Sequence, residues 1–445
     1  MYISRDLDGS LLEWMHEWNR KPLLLRGVRQ CGKTSVVRHF SAEFENYVEI
    51  NFEENEHYKA IFERDFDIRR ILTALELESG QRIIPGKTLL FLDEIQACPR
   101  AIVALRYFYE DKPELHVIAA GSLLEILLRG NHKKEKINFP VGRVRSIFLY
   151  PLSFPEFLRG IGKGLLCDYL NHETKIEPAI HESLLEAYKT FLVVGGMPEA
   201  VKAFVNTGSI LVSQRVHRDI VMNFMDDFSK YDSPIPPDIL QRVFEFAAHN
   251  ICSQVKASSA IQGISAYLFD ESIDLLHRAG LIHPVRASSC DVIPLGTTGK
   301  DTNRKLLLFD TGVYLTHSGL DASALLASDV FSEMNRGSVV EMAVGLELIK
   351  ASDCYAPSNL YYWYRSGANA EVDYVIQAGS SILPIEVKAS GKGSMQSLRS
   401  YLSTHLLSPF GIRVSLENYS SYDQIRVYPV YAAHRISEAG LNTEQ

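Results

Sequence analysis

Eight residues near the N-terminus, Gly27-Val28-Arg29-Gln30-Cys31-Gly32-Lys33-Thr34, restrict this chain more than any other stretch. They satisfy G-x-x-x-x-G-K-[ST] at every fixed position. An apolar run, Leu23 to Arg26, precedes them and a helical pattern, Ser35 to Phe40, follows. Strand, glycine loop and helix in that order make a cradle for phosphate. Glycine lets backbone N–H groups turn inward, and the helix N-terminus favours negative charge. Gly27, Gly32, Lys33, Thr34 and Ser35 are the expected binding set. Lys33 would reach the β- and γ-phosphates and the Thr34 hydroxyl would ligate Mg²⁺. ATP and Mg²⁺ are therefore the expected ligands.

A second apolar run, Leu89-Leu90-Phe91-Leu92, ends on Asp93-Glu94. A carboxylate at the end of a buried strand needs a cation or donor beside it. Next to a P-loop this reads as Walker B, with Asp93 holding Mg²⁺ through water and Glu94 orienting or deprotonating the attacking water. Ser122, after the strand ending at Ala120, suits contact with the γ-phosphate; capping the following helix explains it equally well. Arg143 is a candidate for stabilising transition-state charge, although a lone arginine also fits a surface ion pair.

At 445 residues, two or three domains are expected. β-like runs alternate with helical patterns through residues 1–150, the rhythm of a parallel α/β sheet. Residues 151–295 turn helical. Within them, Val243 to Asn250, Ala257 to Ile261 and Ala266 to Ala279, then the strand Leu281 to Arg286, outline a winged helix-turn-helix; a helical lid is the other reading. Residues 296–445 return to β-like runs and form a separate α/β domain. The formal net charge of −8 argues against a broad non-specific nucleic-acid binder. Six scattered cysteines suggest neither a zinc site nor a disulfide framework. With no apolar run near ~20 residues and no signal-like start, no membrane association and a cytoplasmic location are expected.

The P-loop, Phe91-Leu92-Asp93-Glu94-Ile95-Gln96, Gly121-Ser122 and Gly142-Arg143 are followed by Leu149-Tyr150-Pro151-Leu152-Ser153-Phe154-Pro155-Glu156, then Gly195-Gly196-Met197-Pro198-Glu199 and Phe309-Asp310-Thr311-Gly312. This ordered series resembles the bacterial and archaeal AAA-type ATPases that carry a C-terminal domain of unknown function related to restriction-type nucleases. The resemblance implies an AAA-type core, a helical and winged-helix middle, and a nuclease-like last domain. It also favours Ser122 as a sensor and Arg143 as a phosphate-facing arginine.

In that last domain, Glu371-Val372-Asp373 and Pro384-Ile385-Glu386-Val387-Lys388 read as two strands of a hairpin. Alternation puts Glu386 and Lys388 on one face. Asp373 and Glu386 suit joint binding of Mg²⁺, Glu341 on the preceding helix completes the shell, and Lys388 would activate water. The pattern resembles the PD-(D/E)xK nuclease core with Val372 in place of the proline. A cross-strand salt-bridge cluster fits the same spacing.

Two functions follow from these residues. One is an ATPase whose nucleotide state controls a DNA-binding or DNA-cleaving C-terminal half. The other is an ATP-dependent switch whose C-terminal domain is a catalytically inactive binding module. A metabolic kinase fits less well, because no acceptor-binding lid follows the P-loop. The sequence leaves the oligomeric state open.

Overall fold

A computed structural model of the protein describes residues 1–121, 139–170, 175–229, 233, 235–320, 336–356, 359–365, 367, 370–388 and 395–439. Its first sheet contains β1 (Leu23–Arg26), β2 (Asn46–Asn51), β3 (Thr88–Asp93), β4 (His116–Ala120) and β5 (Arg145–Phe148). All five strands are parallel, in the spatial order β2-β3-β4-β1-β5. Alternation along β3 shows why such strands read as continuous apolar runs. Leu89 and Phe91 pack on one face with Val36, Val37 and Trp14. Leu90 and Leu92 pack on the other with helices Glu56–Glu63, Ile68–Ser79 and Pro99–Asp111. A sheet buried on both faces has no polar side to display.

Five helices, Phe154–Gly160, Gly164–Tyr169, Pro178–Val194, Pro198–Thr207 and Ile210–Phe228, follow this sheet among the described residues. Helix Pro237–His249, strand β6 (Val255–Lys256), the 3₁₀ turn Ala257–Ser259 and helix Ala266–Arg278 come next. The expected short helix at Ala257 to Ile261 is thus a single turn, which its serines favour over a longer helix. Strands β7 (Ile282–Ala287) and β8 (Lys300–Leu308) pair antiparallel, and β6 adds to β8.

That hairpin does not stop at the expected boundary. β7 pairs parallel with β9 (Leu360–Arg365), which begins an antiparallel meander with β10 (Ala370–Ala378) and β11 (Ser381–Lys388). Helix Gln396–Leu402 then crosses to β12 (Gly411–Ser415), parallel to β11, and β13 (Ser420–Tyr422) and β14 (Ile425–Pro429) complete nine strands. The division at 295/296 therefore falls between two strands of one hairpin. Backbone pairing carries β7 from this hairpin into the last sheet. No helix among the described residues is long and apolar enough to cross a membrane.

Candidate functional site

The carboxyl ends of β1, β3 and β4 open on the same side of the first sheet, where ligands of open parallel sheets bind. Gly27 follows β1. A Cβ there would lie 2.1 Å from the Leu149 carbonyl oxygen, so only glycine fits. Gly32 precedes helix Lys33–Phe40 at φ +101°, a left-handed conformation that a side chain would oppose. Ser35 lies exposed on the first turn of that helix. Lys33 is buried and folds back over the loop, donating to the carbonyls of Gly27 and Val28 at 3.0 Å each.

Thr34 donates its hydroxyl to Asp93 Oδ2 at 2.9 Å. This joins the end of β3 to the start of the helix after the loop, across the intervening β4. Burial pushes the Asp93 carboxyl up to about 6, with Glu94 adding in the same direction. A divalent cation there would offset that burial, so the Thr34–Asp93 pair fits Mg²⁺. Glu94 adopts φ +49°, one of few left-handed non-glycine residues, and Gln96 Nε2 donates to its Oε2 at 2.5 Å. Backbone strain of this kind costs about 1–3 kcal/mol and collects at functional sites.

The remaining expected residues of this half are placed differently. Ser122 lies outside the described residues. Arg143 donates to Glu110 Oε1 at 2.9 Å on the exposed surface. It precedes β5, and β5 runs parallel to β1 with Arg145 opposite Leu23. Arg143 therefore sits at the amino end of the sheet, a full strand length from the P-loop at the carboxyl end. That polarity sets Arg143 apart from the P-loop of its own chain.

Three polar groups, Arg5, Arg29 and Asp310, tie the loop and its surroundings to the rest of the chain. Arg5 is buried. Its guanidinium pairs with Glu156 at 3.0 Å and donates to the carbonyls of Cys31 (3.0 Å) and Tyr150 (2.6 Å). Burial works against its charge, but Glu156 outweighs this and keeps Arg5 firmly protonated. Glu156 is itself the N3 residue of a capping box with Ser153, and that Ser-x-x-Glu spacing was readable. Arg29, on the loop, pairs with buried Asp227 at 2.5 Å. Asp310 accepts from Gly196 N (2.6 Å) and Val313 N (2.9 Å), while Leu152 N donates to Gly196 O at 2.7 Å. The three segments around 152, 196 and 310 thus form one backbone junction behind the P-loop.

The C-terminal constellation also assembles. Asp373 Oδ2 accepts from Val387 N at 2.8 Å, and Lys388 pairs with Glu386 at 2.6 Å. Burial first, then Asp373, raises Glu341 to about 8 and Glu386 to about 7. At their centre lies an unforeseen group, Lys305 on β8, 1% exposed. Its ammonium is 2.9 Å from Glu341, 2.5 Å from Glu371 and 3.5 Å from Asp373. Among the described residues, no group of three or more His, Cys, Asp or Glu side chains is arranged to hold a metal.

Residues 19–158 match the family described as "AAA domain". Residues 185–324 and 336–433 match two families described as domains of unknown function, DUF8612 and DUF4143. No curated protein matches the chain. Among solved structures, the Walker-type ATPase PABY2304 of Pyrococcus abyssi is 16% identical, with 71% of this chain and 96% of that chain covered, at a TM-score of 0.44. The Orc1 protein of Aeropyrum pernix, solved in complex with DNA, is 14% identical, with 72% and 92% covered, at 0.27. Superpositions this loose carry no argument about function. The segment that matches the AAA-domain family, residues 19–158, contains the five-stranded parallel sheet and the loop Gly27 to Thr34.

Proposed function

We propose that the chain is a Mg²⁺-dependent ATPase that acts as a switch, its nucleotide state passed through the middle helices to the C-terminal half. The Thr34–Asp93 hydrogen bond carries the reading, because it brings both expected metal-holding groups to the end of the P-loop. Backbone N–H groups of Gly27 to Thr34 would cradle phosphate, and Lys33 would exchange its loop carbonyls for phosphate oxygens. Thr34 would hold Mg²⁺ directly and Asp93 through water; the bound ion supplies charge neutralisation at the phosphates. Glu94, fixed by Gln96, would orient the attacking water and take its proton.

For the C-terminal half, the binding-module reading is favoured over a DNA-directed one by the helix Ala266–Arg278. This is the element a winged helix would present to DNA, yet it carries Asp270, Glu271 and Asp274 against Arg278 alone. Burial also holds its His277 below the usual histidine value. Binding to a phosphate backbone needs the opposite balance. The deciding experiment is ATP turnover with and without duplex DNA. Turnover that DNA leaves unchanged supports the switch; several-fold stimulation by DNA restores the nucleic-acid reading, and absence of any turnover removes both.

A further inference from the structure

The carboxylate set expected to hold Mg²⁺ in the C-terminal half already contains a cation. We propose that the Lys305 ammonium takes the place of a divalent metal among Glu341, Asp373 and Glu386, so that this half works without bound metal.

An ammonium has three N–H donors. Glu341, Glu371 and Asp373 lie at 2.9, 2.5 and 3.5 Å from Lys305 Nζ, and the Glu341 contact is a hydrogen bond. Two further oxygens of the cluster are also taken: Asp373 Oδ2 accepts from Val387 N, and Glu386 Oε1 pairs with Lys388. Glu386 Oε2 is buried with no hydrogen-bond partner among the described residues. A Mg²⁺ ion, which demands near-octahedral geometry at about 2.1 Å, would have to displace these contacts to reach the carboxylates.

Lys305 is also unable to step aside. It stands in the interior of β8, paired opposite Val285, and its ammonium lies 5.4 Å from the centre of the Tyr362 ring. With 1% of its surface exposed, the charge is shielded from water by the carboxylates around it. A metal entering this cluster would leave an unpaired ammonium buried beside it, among the costliest arrangements in a protein interior. The helix Arg336–Lys350 adds a structural reason for a permanent cation. Glu341 is anchored there while Glu347, on the same helix, accepts from Phe154 N at 3.0 Å. Lys305 therefore holds in place the helix that touches the segment following β5.

The test is Mn²⁺ binding by the full chain without nucleotide, read by electron paramagnetic resonance. Asp93→Asn serves as background, so that the N-terminal site does not contribute and the ATPase reading stands or falls separately. The Lys305 protein should bind no Mn²⁺ at millimolar concentration. Lys305→Met in the same background should gain one site, lost again on adding Asp373→Asn. Binding by the Lys305 protein that disappears with Asp373→Asn or Glu386→Gln overturns the proposal. So does a folded Lys305→Met protein that remains without a site. If Lys305→Met fails to fold by circular dichroism, the Lys305 protein with and without Asp373→Asn decides alone.

Discussion

Arg29 and Asp227 form a 2.5 Å ion pair between the P-loop and the last turn of helix Ile210–Phe228. The carboxylate is 2% exposed, and Glu94 and Glu53 also bear on the guanidinium. A phosphate arriving at the loop would add a competing negative charge close to this pair. Asp227→Asn should lower unfolding stability by about 1–2 kcal/mol, less than a fully buried pair would lose because Arg29 is partly exposed. It should also change the sensitivity of helix Ile210–Phe228 to ATP. Urea unfolding and hydrogen exchange with and without nucleotide measure the two effects. Identical protection in both proteins would disconnect this pair from the nucleotide.

Lys33→Ala and Glu94→Gln are each expected to reduce phosphate release by about 10²-fold or more. They separate on binding. Glu94→Gln keeps the loop, Lys33 and the Thr34–Asp93 pair, so its ATP affinity should stay near that of the parent, whereas Lys33→Ala should lose affinity. Fluorescent-nucleotide titration distinguishes them, and unchanged turnover in either variant contradicts the assignment.

Arg143→Ala should leave turnover within about twofold, because its pair with Glu110 is solvent-screened and lies at the far end of the sheet. A hundredfold loss that is restored by mixing with a Lys33→Ala protein would instead show that Arg143 serves a neighbouring subunit.

Removing one partner of the Arg5–Glu156 pair should cost about 3–5 kcal/mol, since the remaining charge stays buried. Arg5→Met should also raise KM for ATP, because Arg5 holds the Cys31 carbonyl inside the P-loop. Denaturant midpoints and steady-state kinetics check both halves of this expectation. A KM shift without destabilisation would mean that the pair is not the anchor described.

Acid should weaken the fold through its buried histidines. Burial lowers His283 to about 3, with His277 and Lys350 adding to the effect. Such a base is neutral when folded and protonated more readily when unfolded. Its contribution is fully present above about 6.5 and declines as pH falls towards its folded value. Between pH 7 and pH 5 the loss from one such histidine is about 2 kcal/mol. Urea midpoints of His283→Gln should therefore fall less over that interval than those of the parent, and parallel falls would refute it.

The N-terminal site was legible because its chemistry is local. Loop, lysine and threonine are eight consecutive residues, and Asp93-Glu94 ends a run apolar enough to show as a buried strand. The C-terminal carboxylates were legible in the same way, through alternation on β10 and β11. What escaped were single charges that act at a distance. Arg5 reaches Glu156 from a segment without periodicity, and Arg29 occupies a position that the loop motif leaves free.

Sequence alone therefore determined the phosphate-binding loop, the acidic pair opposite it and the strands that carry them, since each depends on neighbours within a few residues. Tertiary structure decided what surrounds them. Strand polarity put Arg143 at the wrong end of the sheet, and continuous backbone pairing drew β7 and β8 into the last sheet. Joining β8 to the same sheet as the meander brought Lys305 among carboxylates 36 to 68 positions further on, where the cost of burying like charges made a cation necessary.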